Sequence, residues 1–414
     1  MGEIMNKTNL TMIELFSGIG AQKRGIDNTG LYNLEVVATS DIDKEVMIEY
    51  AAIHCGLTNE MVENYKKYPS KEEMAQSLTD RRIGYDFQKN KQYDWFKLAN
   101  KKKGMELEKY WLSAKLTNNL GDISKINKLP QCDVLTFSSP CTDYSIAGKQ
   151  EGSFNTCNSC GHKFNPFDYD VEKRYNCPNC GSDDIQGTRS GLLKEVERLL
   201  INSINAGEAP KYLLQENVDA LVSKKFKPDF DAFCRRLENL NYSVYWSILN
   251  AKECGLPQNR RRLFMIGIRK DIDTGKFTFP IPFDNGIRLK DVLEKNVEDK
   301  YYINNESSEK LIQKLVDSGR LKTNNGILEQ LDKIYRIRKL TVREAFALMA
   351  FEFEDWDKCV SVGISNSAGY RAAGNSIVTE CIKLLFEHLY KAQYDDTYIC
   401  TDEKMVNFQN PEVK

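Results

Sequence analysis

The sequence has little histidine, almost no net charge and no long apolar run. Three histidines, His54, His162 and His388, stand among 414 residues, which leaves acid–base chemistry to other groups. The formal net charge is −1 and the pI about 6.4, so no global basic field marks a partner of nucleic acid. Contact with a polyanion must come from local patches. Nothing approaches the roughly 18 consecutive apolar residues that suggest a membrane span. The start, Met1-Gly2-Glu3-Ile4-Met5-Asn6-Lys7, lacks the apolar centre of a secretion signal, and Asn6 breaks the myristoylation pattern. A cytoplasmic protein with no membrane partner is expected. A phosphate-binding loop of the Lys-Ser/Thr type is also missing, which disfavours ATP.

Cysteine, by contrast, is plentiful, with twelve in the chain. Eight are scattered singly, which argues against a disulfide framework. The other four form two knuckles, Cys157-Asn158-Ser159-Cys160-Gly161 and Cys177-Pro178-Asn179-Cys180-Gly181. Two C-x-x-C pairs, each followed by glycine, have zinc-ribbon spacing, and four thiolates suffice for a closed tetrahedral structural zinc site. His162 is not needed as a ligand. The alternative is a redox dithiol.

Apolar runs alternate with helical patterns. Strands are predicted over 11–16, 34–39, 133–138, 211–216, 243–250 and 262–269, with helices near 191–205 and 228–240. That rhythm predicts an α/β fold whose mostly parallel sheet is covered by helices on both faces. Three stretches break it: a charged helical insert over 57–118, the cysteine module over 153–190, and an Asn-, Lys- and Glu-rich span over 270–337. The polar tail over 393–414 is expected to fray.

Chemistry-bearing residues gather at predicted strand ends, where active sites of open α/β sheets collect. Phe16-Ser17-Gly18-Ile19-Gly20 is a tight turn into a helix, and its glycines allow close approach of a ligand. Ser40-Asp41-Ile42-Asp43 offers an acid suited to ribose hydroxyls, and Gly121-Asp122-Ile123 a second acid suited to an amino group. Three such elements in order suggest a nucleoside cofactor. Phe137-Ser138-Ser139-Pro140-Cys141 ends a strand in a thiol that opens a loop holding Gly148 and Gly152; it is either a nucleophile or a buried structural cysteine. Glu216, in Gln215-Glu216-Asn217-Val218, is a candidate proton donor or a turn acid. Arg260 and Arg262 fall on one face of an incoming strand, able to hold an anion or a carbonyl oxygen, or to form surface salt bridges.

Taken in order, these motifs, with Arg338-Lys339-Leu340-Thr341-Val342-Arg343-Glu344 and Gly374-Asn375-Ser376-Ile377-Val378, resemble the DNA (cytosine-5) methyltransferase family. The resemblance implies a Rossmann-like S-adenosylmethionine-dependent methyltransferase acting on double-stranded DNA. Phe16 would pack on the adenine, Asp41 hold the ribose and Asp122 the adenine amino group. Asn375 and Ser376 would lie near the methionine end, with Gly18, Gly20, Ile42, Ile123 and Pro140 completing the cofactor site. Cys141 would add to carbon-6 of a flipped-out cytosine, Glu216 act at ring nitrogen-3, and Arg262, supported by Arg260, contact the base carbonyl. A catalytic domain is then assembled from 1–56, 119–152, 191–269 and 338–392. A monomer of bacterial or phage origin is expected.

Two alternatives stay open, an RNA methyltransferase of the transfer-RNA type and an inert nucleic-acid-binding relative. The span 270–337 is short for the family's target-recognition region. The ribbon and the helical insert are therefore expected to contribute to DNA contact. In the insert, Lys97, Lys101, Lys102, Lys103 and Lys109 alternate with Tyr93, Trp95, Phe96, Tyr110 and Trp111.

Overall fold

A computed structural model describes residues 7–86, 89, 91–101, 104–139, 153–188, 190–303, 305–319 and 337–398. Pro140, Cys141 and the glycines that follow them, as well as Lys102 and Lys103, lie outside these residues.

The framework is a six-stranded sheet. Its strands are β1 (Thr8–Leu15), β2 (Tyr32–Ser40), β5 (Val134–Phe137), β9 (Tyr212–Val218), β10 (Tyr242–Asn250) and β11 (Arg261–Arg269); β3 (Tyr85–Asp86) and β4 (Lys91–Gln92) form a separate ribbon. The spatial order is β10-β11-β9-β5-β1-β2. Pairing is parallel from β2 through β1 and β5 to β9, and antiparallel where β11 joins β9 and β10. Strands buried on both faces read as largely apolar runs. Thus Leu10 and Met12 of β1 enter the core on one face, while Ile13 and Leu15 enter the core on the other.

The first face is covered by α1 (Ala21–Asp27), by the C-terminal helix running Thr379–Tyr394, and by the helix starting at Val342. The second face is covered by helices over Leu193–Asn205 and Lys227–Asn239. The predicted strands and helices thus fall at or within a few residues of their observed places. Of the tail over 393–414, residues 399–414 lie outside the described residues, and the described part continues the fold. The C-terminal helix runs on to Tyr394, and the Tyr398 hydroxyl meets Thr278 Oγ1 at 2.6 Å, where the buried Phe277 and Phe279 anchor that segment.

In chain order the remaining helices of the first half are α2 (Lys44–His54), α3 (Asn59–Asn64), α4 (Lys71–Asp80), α5 (Trp95–Ala99) and α6 (Glu106–Leu116). They are followed by α7 (Leu193–Asn205) and α8 (Lys227–Asn239), already placed on the second face. Then come α9 (Glu306–Asp317), α10 (Val342–Leu348), α11 (Phe353–Ser361), α12 (Asn366–Asn375) and α13 (Thr379–Tyr394). The cysteine module is a three-stranded sheet of order β7-β6-β8, with β6 at Asn155–Cys157, β7 at Lys163–Phe164 and β8 at Ile185–Gln186.

Candidate functional site

Parallel strands β1, β2, β5 and β9 all end at one edge of the sheet, and antiparallel β11 begins there. This topology gathers the sequence motifs. After Leu15 the chain turns sharply through Phe16, Gly18 and Gly20, all at positive φ (57°, 53° and 76°), before α1. A Cβ on Gly20 would lie 2.5 Å from His54 Nε2 and 2.7 Å from Tyr50 Cε2, so no larger residue fits. Gly18 faces open space instead, and its N–H donates to Asp41 Oδ2 at 3.0 Å.

Under this turn lies a buried floor. Glu14 accepts from the Tyr50 hydroxyl at 2.5 Å and from the Lys23 N–H at 3.0 Å, and His54 Nε2 sits 3.0 Å from the Ile19 carbonyl. Burial pushes the Glu14 carboxyl up to about 7 and His54 down to about 3. The imidazole is therefore neutral and structural. Glu14 and Tyr50 were not among the sequence candidates.

Asp41 is half-buried. Its carboxylate is pushed up to about 6 by burial and by the neighbouring charge of Asp43, although the Asp43 N–H donates to Oδ1 at 2.8 Å. Asn119 bridges the next turn. Its Oδ1 accepts from Asp41 N–H and Gly121 N–H, and its Nδ2 donates to the Asp41 carbonyl at 2.9 Å. Asp122, buried, accepts from Ser124 N–H at 2.9 Å, and its Oδ2 lies 2.8 Å from Arg82 Nη1. Phe16, Gly18, Gly20, Asp41, Ile42, Asp122 and Ile123 thus border one stretch of the sheet edge.

The other stretch carries Glu216, 8% exposed, with Arg262 Nε 3.2 Å from its Oε1. Burial raises the Glu216 carboxyl, and the charges of Arg262 and Arg260 oppose the shift. The two arginines diverge in their contacts. Arg260 Nη2 donates to the carbonyls of Gly374 (3.0 Å) and Ser376 (2.7 Å), fastening the C-terminal end of α12. Asn375, the last residue of that helix, is exposed and Ser376, which follows it, buried. Asn217 Nδ2 donates to the carbonyl (3.3 Å) and hydroxyl (3.4 Å) of Ser139, so the end of β9 holds the last described residue before Pro140 and Cys141. Sequence reasoning quoted Asn217 in its motif without giving it a role and passed over Asn119; their partners Ser139 and Asp41 are 78 residues away in both cases.

In the cysteine module the Sγ atoms of Cys157, Cys160, Cys177 and Cys180 lie within 4.8 Å of one another. Cys157 and Cys180, and Cys160 and Cys177, are 3.6 Å apart, far beyond a covalent S–S bond. Four thiolates 2.3 Å from a tetrahedral centre would be about 3.8 Å apart, so the set fits a metal ion. Both knuckles close alike: Gly161 N–H donates to the Cys157 carbonyl and Gly181 N–H to the Cys177 carbonyl, each at 2.8 Å. The module sits on α7 and α8. Arg174 is buried against Glu197 (2.9 Å), which also holds Arg236 (3.0 Å), and the Phe167 ring lies near both guanidinium groups.

The helical insert buries part of its aromatic set. Trp95 is fully buried and its Nε1–H donates to the Ile83 carbonyl at 2.9 Å. Tyr110 and Trp111 pack within the insert's core, and Lys109 Nζ reaches the Val362 carbonyl at 2.7 Å. Trp95, Tyr110 and Trp111 thus belong to a core, whereas Tyr93 and Phe96 are exposed, because the α5 spacing turns Trp95 and Leu98 inward and leaves Phe96 and Lys97 outside.

Comparison with known proteins agrees with this geometry. The family model for C-5 cytosine-specific DNA methylases matches residues 96–159 and 179–327. A type II methyltransferase of Lactococcus lactis subsp. cremoris, M2.ScrFI, is 33% identical over 93% of this chain and 100% of its own length. The orphan methyltransferase M.SssI of Spiroplasma monobiae is 32% identical over 74% of this chain and 70% of its own. A solved methyltransferase of Entamoeba histolytica has the same fold with a TM-score of 0.51, at 16% identity over 93% of this chain and 98% of that one.

Proposed function

Given that the chain belongs to the C-5 cytosine-specific DNA methylase family, and so methylates carbon-5 of cytosine in DNA with S-adenosylmethionine as donor, we propose that its sheet edge is divided between the two substrates. Phe16, Gly18, Gly20, Asp41, Ile42, Asp122 and Ile123 hold the nucleoside end of the cofactor, with Pro140, Asn375 and Ser376 toward the methionine end. The open space at Gly18 and the half-buried Asp41 carboxylate beside it suit that role. When bound, the cofactor supplies an electrophilic methyl group.

On the base side, the Cys141 thiolate adds to carbon-6, since carbon-5 of cytosine is a poor nucleophile until carbon-6 is substituted. Glu216 hydrogen-bonds or protonates nitrogen-3, which eases the addition and makes carbon-5 electron-rich; once carbon-5 carries the methyl group, loss of its proton breaks the Cys141–carbon-6 bond, restores the ring and frees the thiolate. Arg262 steadies Glu216 and the base carbonyl, while Arg260 aligns the 374–376 segment. The observation that carries this reading is Glu216: a buried carboxyl, raised by desolvation, at a strand end fastened through Asn217 to the residue before Pro140-Cys141. Such a site cannot reach a base in its stack, so double-stranded DNA is bound with the target flipped out. The four cysteines hold one structural zinc ion.

A duplex with 5-fluorocytosine at the target should trap a covalent adduct, and peptide mass spectrometry should place it on Cys141. An adduct elsewhere, or none with active enzyme, would refute the assignment. Glu216→Gln should lower turnover more than DNA affinity; equal losses would make Glu216 a binding residue.

A further inference from the structure

The turn joining α4 to β3, residues Arg81–Tyr85, belongs to the helical insert but is laced to the proposed cofactor site from both sides. Gly84 N–H donates to the Ile42 carbonyl at 2.7 Å, and Asp122 N–H to the Arg81 carbonyl at 2.9 Å. Arg81 Nη1 donates to the Asn119 carbonyl at 2.8 Å. Gly121, at φ 79°, is required here, since a Cβ would lie 2.0 Å from the Arg81 carbonyl oxygen. The Ile83 carbonyl accepts from both Gln92 Nε2 (2.6 Å) and Trp95 Nε1 (2.9 Å), which ties the turn to the insert's core.

Arg82 sits in the left-handed region, φ 52°, which a non-glycine residue rarely adopts. The conformation aims its guanidinium at Asp122 Oδ2, 2.8 Å away, and lays its Cζ 3.8 Å from the Tyr85 ring centre. Asp122 thus accepts a hydrogen bond from Ser124 N–H at one oxygen and faces the charge of Arg82 in an ion pair at the other. A planar guanidinium can pair with a carboxylate and lie on an aromatic face together; an ammonium cannot reproduce that geometry.

We propose that Arg82, held on Tyr85, is a positioning residue that orients Asp122 toward the purine edge of the cofactor and so makes the helical insert a determinant of purine selectivity. Asp122 presents an acceptor to a 6-amino group. A 6-oxo purine meets an acceptor with an acceptor and is disfavoured. The inference rests on the reading of Asp122 as an adenine contact, and the experiment separates the two.

Calorimetric binding of S-adenosylhomocysteine and of its 6-oxo counterpart, S-inosylhomocysteine, to the full chain is the test. The native protein should bind the 6-amino compound more tightly. Arg82→Ala should weaken it about fivefold, the scale of one partly exposed ion pair, and should narrow the discrimination between the two. Arg82→Lys should recover affinity only partly, and Tyr85→Leu should fall between native and Arg82→Ala. Asp122→Asn should weaken the 6-amino compound and shrink or reverse the preference. If Asp122→Asn changes neither affinity nor preference, the reading of Asp122 fails. If Asp122→Asn has its effect but Arg82→Ala leaves the preference unchanged, the inference about Arg82 is overturned, whether or not affinity or melting temperature falls, because a merely structural role moves affinity without moving selectivity.

Discussion

The helical insert and the cysteine module interrupt the same sheet, and they are held in place by different physics. The insert shares its apolar core with the catalytic framework. Met47 of α2 packs with Met74, Leu78, Trp95 and Leu107, while Ile48, Ala51 and Ala52 of α2 pack with Leu57, Val62, Leu112 and Val362. The module has little apolar core: Phe164 and the knuckle cysteines Cys157 and Cys177 are its buried hydrophobic residues among those described. It compensates with four converging thiols and one buried ion-pair seat on Glu197. A segment that continues a hydrophobic core should fold and unfold with the whole. A segment organised by a metal and a polar seat should come apart alone.

Metal removal should break that comparison most sharply. Structural zinc contributes on the order of 10 kcal/mol to small cysteine modules. One zinc per chain is expected by elemental analysis. Chelation, or Cys177→Ala, should open 153–188 to protease while the main thermal transition persists. Loss of the whole transition on chelation would mean that the module is integral to the framework.

Trp95→Ala tests the other side. Removing a fully buried indole should cost about 4 kcal/mol, and because α2 shares this core, the loss should appear in the single main transition. Cofactor affinity should fall with it, since Trp95 also anchors the turn that carries Arg82. A second, separate unfolding step in calorimetry would show the insert to be an independent unit after all.

Part of this contrast was legible in the sequence. The strands announced themselves by apolar runs bounded by glycine, acid and proline, and the parallel topology then fixed which ends meet. The knuckles were legible because metal-ligand spacing is local. The seat of the module was not: Arg174 meets Glu197 and Arg236 only after α7 and α8 are packed. Glu14, Tyr50, Asn119 and Arg82 were invisible for the same reason. Each acts across a fold contact, and an acid inside a strand such as β1 reads as an interruption of its pattern until its partners, Tyr50 and Lys23, are seen. Which of the insert's interleaved aromatics are core was not legible either: Trp95 is buried and its neighbour Phe96 exposed, a division that only the packing of α5 decides.

The core shared by the insert runs through α2 to the floor beneath Gly20, and that floor should carry a pH dependence. Glu14 titrates near 7 in the fold against an ordinary 4.5. Its folded state therefore binds the proton more tightly. The associated stability is fully present below about 4.5 and is lost as pH rises through 7. The loss amounts to up to about 3 kcal/mol. Glu14→Gln should remove it, so urea unfolding at pH 5 and pH 8 should show the native protein losing stability relative to the variant. Parallel pH profiles for the two proteins would mean that Glu14 is already charged at pH 5.

The smallest effect concerns the insert's outer surface. Lys101 is exposed and paired with an exposed Glu106 at 3.1 Å, a contact worth under about 1 kcal/mol. Trp95 is buried, while Tyr93 and Phe96 of the same insert are exposed. The lysine run itself can add charge contacts with phosphate to any DNA complex. Replacing Lys101, Lys102 and Lys103 by Ala should leave the melting temperature and the methylated sequence unchanged. DNA affinity should weaken, and the slope of log affinity against log salt should flatten by about 0.9 for each lysine that meets a phosphate in the duplex. An unchanged slope would make the run a solvated face. The helical insert would then serve the cofactor side of the sheet edge alone, and phosphate contact would fall to the module and the span 270–337.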